Sequence, residues 1–179
     1  MPSAPREFGA GALALMLDLP ACATARGGTG PFVEQNLARL ARERGVPVVG
    51  LERIEEQVDV VATLPREVEH ALLLAVIGQG ERSEDVIETS VARWSAGETG
   101  ALVAWMRSAE PVPGNPASRM PPAFLDRLLD ERSRRMAERA APLIERGGAF
   151  VAVGAAHLPG PTGLLSLLAA RGFVIERVE

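Results

Sequence analysis

Three stretches of this chain repeat one order of polar and apolar positions. In each, a helix-spaced amphipathic run closes on Arg-Gly and an apolar run of strand length follows at once. They are residues 37–44 followed by 45–52, residues 136–146 followed by 147–153, and residues 164–171 followed by 172–178. A glycine just past a helix accepts the left-handed conformation that closes it, and an arginine in the last turn complements the helix dipole. Three units of helix, glycine and apolar run predict an α/β fold, with a small, partly parallel sheet flanked by helices.

Between the first and second units the period is helical throughout. Glu55, Glu56 and Gln57 open an amphipathic stretch, and Pro65 starts a helix over 66–77 that Gly78 and Gly80 end. Two shorter helices are expected over 86–94 and 101–106. Residues 111–122, with five prolines, read as a loop. The expected organisation is one domain over 1–179, in which 54–122 form a mainly helical insertion and loop. Residues 123–179 then run helix, strand, Gly-x-x-His, helix, strand. Ahead of these, residues 9–17 read as a short helix ended by Pro20, with a faint likeness to a lipoprotein signal before Cys22. Asp18 inside the apolar region argues against export, so the compartment stays open, with the cytoplasm as default.

Composition narrows the partners. The net charge is −4 and all 19 basic residues are arginines interleaved with acids, which speaks against a nucleic-acid partner. No apolar run reaches the length of a transmembrane helix. Cys22 is the single cysteine, so neither an intrachain disulfide nor a cysteine-based zinc site is expected, and it reads as packing. Trp94 and Trp105 read as core residues, and His70 as structural.

His157 is the leading candidate for chemistry. It ends an apolar run at Gly154-Ala-Ala-His157, and neutral imidazole is both the commonest metal ligand and a base near neutrality. Gly154 and Gly160 on either side would let backbone or substrate approach closely. The plainer reading is a loop histidine bonded to a nearby carbonyl. Glu52 ends the apolar run at 46–51, so two parallel strands would bring Glu52 and His157 to one sheet edge, where open α/β sheets bind ligands. Such a pair could hold a divalent cation or share acid and base work. A solvated acidic helix start would use the same letters. Arg132 could clamp a substrate carboxylate or phosphate through both arms of its guanidinium, against the plainer reading of an exposed pair with Glu131 or Glu138. The sequence holds no Gly-x-Gly-x-x-Gly, Walker loop, His-Glu-x-x-His or Gly-x-Ser-x-Gly.

The helix segment from Leu128 to Ala137, followed by 148–165 with Gly154-Ala-Ala-His157-Leu-Pro-Gly160 and by Arg171-Gly-Phe-Val, resembles the TraB/PrgY/GumN family, which includes the Tiki metalloproteases. The block from Val48 to Gln57 looks like a second part of that pattern, and the resemblance runs from about Phe8 to the C-terminus. It implies an α/β domain with two Gly-x-x-His motifs and acidic residues around a divalent metal, and a peptidase activity in the Tiki-like members. His157 matches the second motif; the first does not appear, as in a member lacking its N-terminal strands. The family's Arg-Asn pair on the helix is Arg132-Ser133 here, which departs from the pattern.

Three functions follow from this resemblance. The first is a metal-dependent, peptidase-type hydrolase, truncated or degenerate, with a Mn or Co type ion held by His157 and Glu52, and with Gly154, Gly160 and Arg132 against the substrate. The second is a non-enzymatic binding or scaffold module that retains the family fold and has lost its site; a peptide or small-molecule ligand is the expected partner. The third and weakest is haem binding through His157, from a distant likeness to haem-uptake proteins of the ChaN type. An unpaired sheet edge would in addition favour a homodimer.

Overall fold

The structure, a computed structural model, describes residues 9–17, 32–80, 83–108 and 119–178. Its helices are α1 (Ala10–Leu17), α2 (Val33–Glu43), α3 (Ile54–Ala62), α4 (Arg66–Gln79), α5 (Ser83–Ser95) and α6 (Thr99–Ser108). They are followed by α7 (Pro122–Leu125), a π-helical turn (Asp126–Glu131), α8 (Arg132–Glu145), a 3-10 turn (Ala155–His157) and α9 (Leu164–Ala169). The helices expected in the middle of the chain form, each a few residues longer than its apolar period. Pro122 begins α7, where its missing N–H costs nothing. The rest of the proline-rich loop, like Pro20 and Cys22, lies outside the described residues.

Two apolar clusters hold these elements. In the first, α1 lies on α3 and α4, and Ala14, Val60, Val61, Leu64, Leu72, Val76 and Phe124 are buried together. Gly11 allows the close approach, since a Cβ there would come within 2.6 Å of Val61 Cγ1. In the second, α9 lies on α8 around Met136, Ala137, Ala141, Leu164 and Leu168. The continuous helical stretch from α7 through the π turn to α8 is amphipathic for a visible reason: Leu125, Leu129, Ser133, Met136 and Ala140 recur at intervals of three and four along one buried stripe.

The expected α/β class is not found. Among the described residues no strand forms, and the architecture is all-helical. The three glycines do close their helices with positive φ, +68° at Gly45, +77° at Gly147 and +93° at Gly172. The apolar runs that follow are then unpaired segments. Leu51, Val151, Val153 and Phe173 pack on the second cluster, whereas Val46, Val48, Val49, Phe150, Val174 and Val178 face outward, Phe150 with 80 % of its surface exposed. A ladder needs a neighbouring strand at about 5 Å as well as an apolar run, and these runs have none among the described residues. The middle helices are therefore part of a helical body, with no sheet frame around them. The sheet edge expected to join two copies is likewise missing from the described residues. Trp94, expected in the core, is exposed on α5, and Trp105 on α6 is half-buried.

Candidate functional site

The long helix formed by α7, the π turn and α8 carries the site. Its buried stripe passes through Leu129 and Ser133, and its flank carries Arg132, Arg135 and Arg139 at intervals of three and four. The stripe meets the His157 turn, while the arginine flank meets the start of α3. Two consecutive residues therefore gather the two groups that sequence reasoning singled out, since Arg132 holds Glu52 and Ser133 holds His157.

Glu52 is 5 % exposed and Arg132 19 %. Arg132 Nε donates to Glu52 Oε1 at 3.0 Å and Oε2 at 3.2 Å, and its Nη2 donates to Oε2 at 2.7 Å. Arg135 Nη1 stands 3.8 Å from Oε1; this nitrogen is enclosed and makes no hydrogen bond among the described residues. One turn further along α8, Arg139 donates to Glu56 through both arms at 2.7 and 2.6 Å, and to the Leu51 carbonyl at 2.9 Å. Glu56 also accepts the Arg53 N–H at 2.8 Å, which caps α3. The Arg139 guanidinium, aided by that backbone donor, holds the Glu56 carboxyl down at about 2, and Glu56 raises Arg139 in return. Arg132 thus clamps a carboxylate of its own chain. Arg132 does not stand in the exposed pair with Glu131 or Glu138 that spacing alone would give it.

His157 ends the 3-10 turn that Gly154 opens; its N–H donates to the Gly154 carbonyl at 2.9 Å. His157 is 7 % exposed, and Ser133, 2 % exposed, places Oγ 3.0 Å from Nδ1. Burial pushes the imidazole below its usual value of 6.5, and the Arg132 charge adds to this. The Leu129 carbonyl and Glu52 act in the opposite sense. His157 is therefore neutral near pH 7. Gly154 leaves ordinary contact room for the ring, since a Cβ there would sit 3.5 Å from Cδ2. His70, by contrast, is exposed on α4.

Beside this turn lies a cleft of about 370 Å³. Val103, Ala104 and Arg107 of α6 form one wall, Leu129, Asp130 and Ser133 a second, and Ala156 with residues 159–163 a third. Its polar corner is fixed: Asp130 Oδ1 accepts from Thr162 Oγ1 at 2.7 Å and from Arg107 Nη2 at 2.5 Å, and Arg107 Nη1 also donates to Asp126 at 3.0 Å. Gly160, at φ +89°, forms part of the wall.

Sequence reasoning missed Ser133, Asp130, Thr162 and Arg107. Only Ser133 left a usable signal, as the one polar residue on an otherwise apolar helical stripe.

As placed, Glu52 and His157 do not make a cation shell. Both Glu52 oxygens accept from Arg132, His157 Nδ1 is engaged by Ser133, and among the described residues no three of His, Cys, Asp and Glu converge. No described helix is long and apolar enough to cross a membrane.

No curated protein and no solved structure matches the chain significantly. The model of the TraB/PrgY/gumN family matches residues 2–177, nearly the whole chain. The His157 turn, the helix that feeds it and the Glu52 segment all lie within that match, and the chain belongs to the TraB/PrgY/gumN family.

Proposed function

We propose that this chain is a binding module of its family that takes a peptide segment or small molecule in the cleft beside the His157 turn. The observation that carries the proposal is the cleft's construction. Its volume of about 370 Å³ suits a small ligand, its walls are largely apolar, and its few polar groups are held in place by one another. The Glu52–Arg132 pair stands behind this wall as a brace that keeps the first turn of α8 against the α3 segment.

An NMR titration of the ¹⁵N-labelled chain with a panel of capped tripeptides tests this. Saturating shifts at Gly160, Thr162 and Gly163, lost when Ala104→Trp fills the cleft, are the expected result. No shifts, or shifts that persist in Ala104→Trp, would remove the proposal.

A second reading, a metal-dependent peptidase-type hydrolase, draws on one observation: a buried, neutral imidazole is suited to act as a base or ligand. Peptide cleavage that needs added Mn²⁺ and vanishes in His157→Ala would move the conclusion to that reading.

A further inference from the structure

Two charged side chains line the cleft beside the His157 turn, Arg107 and Asp130, and the rest of its lining is uncharged. Arg107 donates through one arm to Asp130 at 2.5 Å and through the other to Asp126 at 3.0 Å. One guanidinium between two carboxylates leaves this corner with a surplus negative charge. Asp130 is the more enclosed of the two acids, its side chain 17 % exposed against 56 % for Asp126, so the surplus is screened least at the cleft wall. The hydrogen bonds leave acceptors at the same place. Asp130 takes its bonds from Arg107 and Thr162 on Oδ1, and no hydrogen bond among the described residues reaches Oδ2. Among those residues the one side-chain polar atom that is both enclosed and unbonded is Arg135 Nη1, so Oδ2 is open to solvent. Thr162 gives its single proton to Asp130, which leaves its oxygen with lone pairs only. In the 159–163 wall, Pro159 and Pro161 bring no N–H, and that of Gly163 is spent on the Gly160 carbonyl.

We infer that the cleft selects a cationic ligand, one whose protonated primary amine donates to Asp130 while its apolar part lies against Val103, Ala104 and Leu129. An ammonium group brings three donors and no acceptor, which fits a corner with acceptors to spare. Its charge offsets the surplus carboxylate, and a hydrogen bond between charged partners is the stronger kind. An anion would meet that surplus, and a neutral group would leave it unanswered. A lysine side chain and the N-terminal amine of a peptide both carry this chemistry. This ligand class rests on the cleft's being a binding site, as proposed above.

NMR titrations at neutral pH with four tripeptides, alike but for one group, test this through the shifts at Gly160, Thr162 and Gly163. Three are capped at both ends, with lysine, norleucine or glutamate at the centre; the fourth is the norleucine peptide with its N-terminal amine left free. At least one of the two amine-bearing peptides is expected to bind about tenfold more tightly than the capped norleucine peptide, and the glutamate peptide least well. Whichever amine gains the affinity identifies its source as a side chain or a chain terminus. Asp130→Asn, which keeps the shape and removes the charge, is expected to abolish the difference. Capped norleucine or glutamate binding as tightly as both amines would overturn the cationic ligand and leave the cleft a binding site; this ranking needs no variant to fold. A preference for the amine that persists in folded Asp130→Asn would overturn the role of Asp130. No saturating shifts with any of the four would remove the binding site itself, and the ligand class with it.

Discussion

Gly163 stands where the chain leaves the His157 turn and enters α9, and there the backbone folds back on itself. A Cβ at this position would run into the carbonyl oxygens of Pro159 and Leu158, which are backbone and cannot rotate away. Gly163→Ala is expected to cost about 1–3 kcal/mol in urea unfolding, the usual range for a forced overpacking. A loss below about 0.5 kcal/mol would mean that the turn is not as tight as described. His157 makes a separate prediction. Burial keeps it neutral in the folded chain below 6.5, whereas the unfolded chain takes up the proton near that value. The unfolded state then binds more protons, so this contribution to stability is complete above about pH 6.5 and is lost as the pH falls from there through the lowered folded value. Urea midpoints between about pH 7.5 and 5.5 should fall more steeply for the natural chain than for His157→Gln; equal slopes would contradict the buried, neutral ring.

At the scale of elements, the first turn of α8 links two parts of the molecule through neighbouring residues: Arg132 reaches back to Glu52 and Ser133 forward to His157. Breaking the first link leaves a carboxylate that is only 5 % exposed without its main partner. Arg132→Met is expected to cost about 3 kcal/mol, and adding Glu52→Leu to recover much of it, because an enclosed charge is costly alone and replaceable as a pair. Denaturant unfolding of the two single variants and the double variant reads this coupling. A cost below about 1 kcal/mol for Arg132→Met would place the pair with ordinary surface ion pairs.

Elements also show what could be read from the chain and what could not. The helices over 54–108 were legible because burial of one face leaves a local period in the sequence. So were the glycines at 45, 147 and 172, whose positive φ is a local requirement. The strands expected after those glycines were not, because an apolar run records a tendency while pairing depends on a distant partner. Glu52 and His157 were legible as ends of apolar runs, although what joins them is a helix and not a sheet edge. Arg132 was legible as a two-armed clamp for an anion, and here its guanidinium donates to the Glu52 carboxylate of the same chain, a partner 80 residues away that no local spacing announces. Asp130, Thr162 and Arg107 come together from three separate segments, and nothing in their spacing announces it.

For the whole molecule, membership of the TraB/PrgY/gumN family and the geometry beside His157 bear on different questions. The family match sets the lineage of the chain, while the partners of Glu52 and His157 set what these residues are free to do. Arg132 occupies both carboxylate oxygens of Glu52, and we expect that Glu52 for this reason does not join His157 in holding a cation. Calorimetric titration of the metal-stripped chain with Mn²⁺ and Co²⁺, in parallel with His157→Ala and Glu52→Gln, measures this. No saturable binding that depends on both residues is the expected result; saturable binding in the natural chain that disappears in both variants would overturn it.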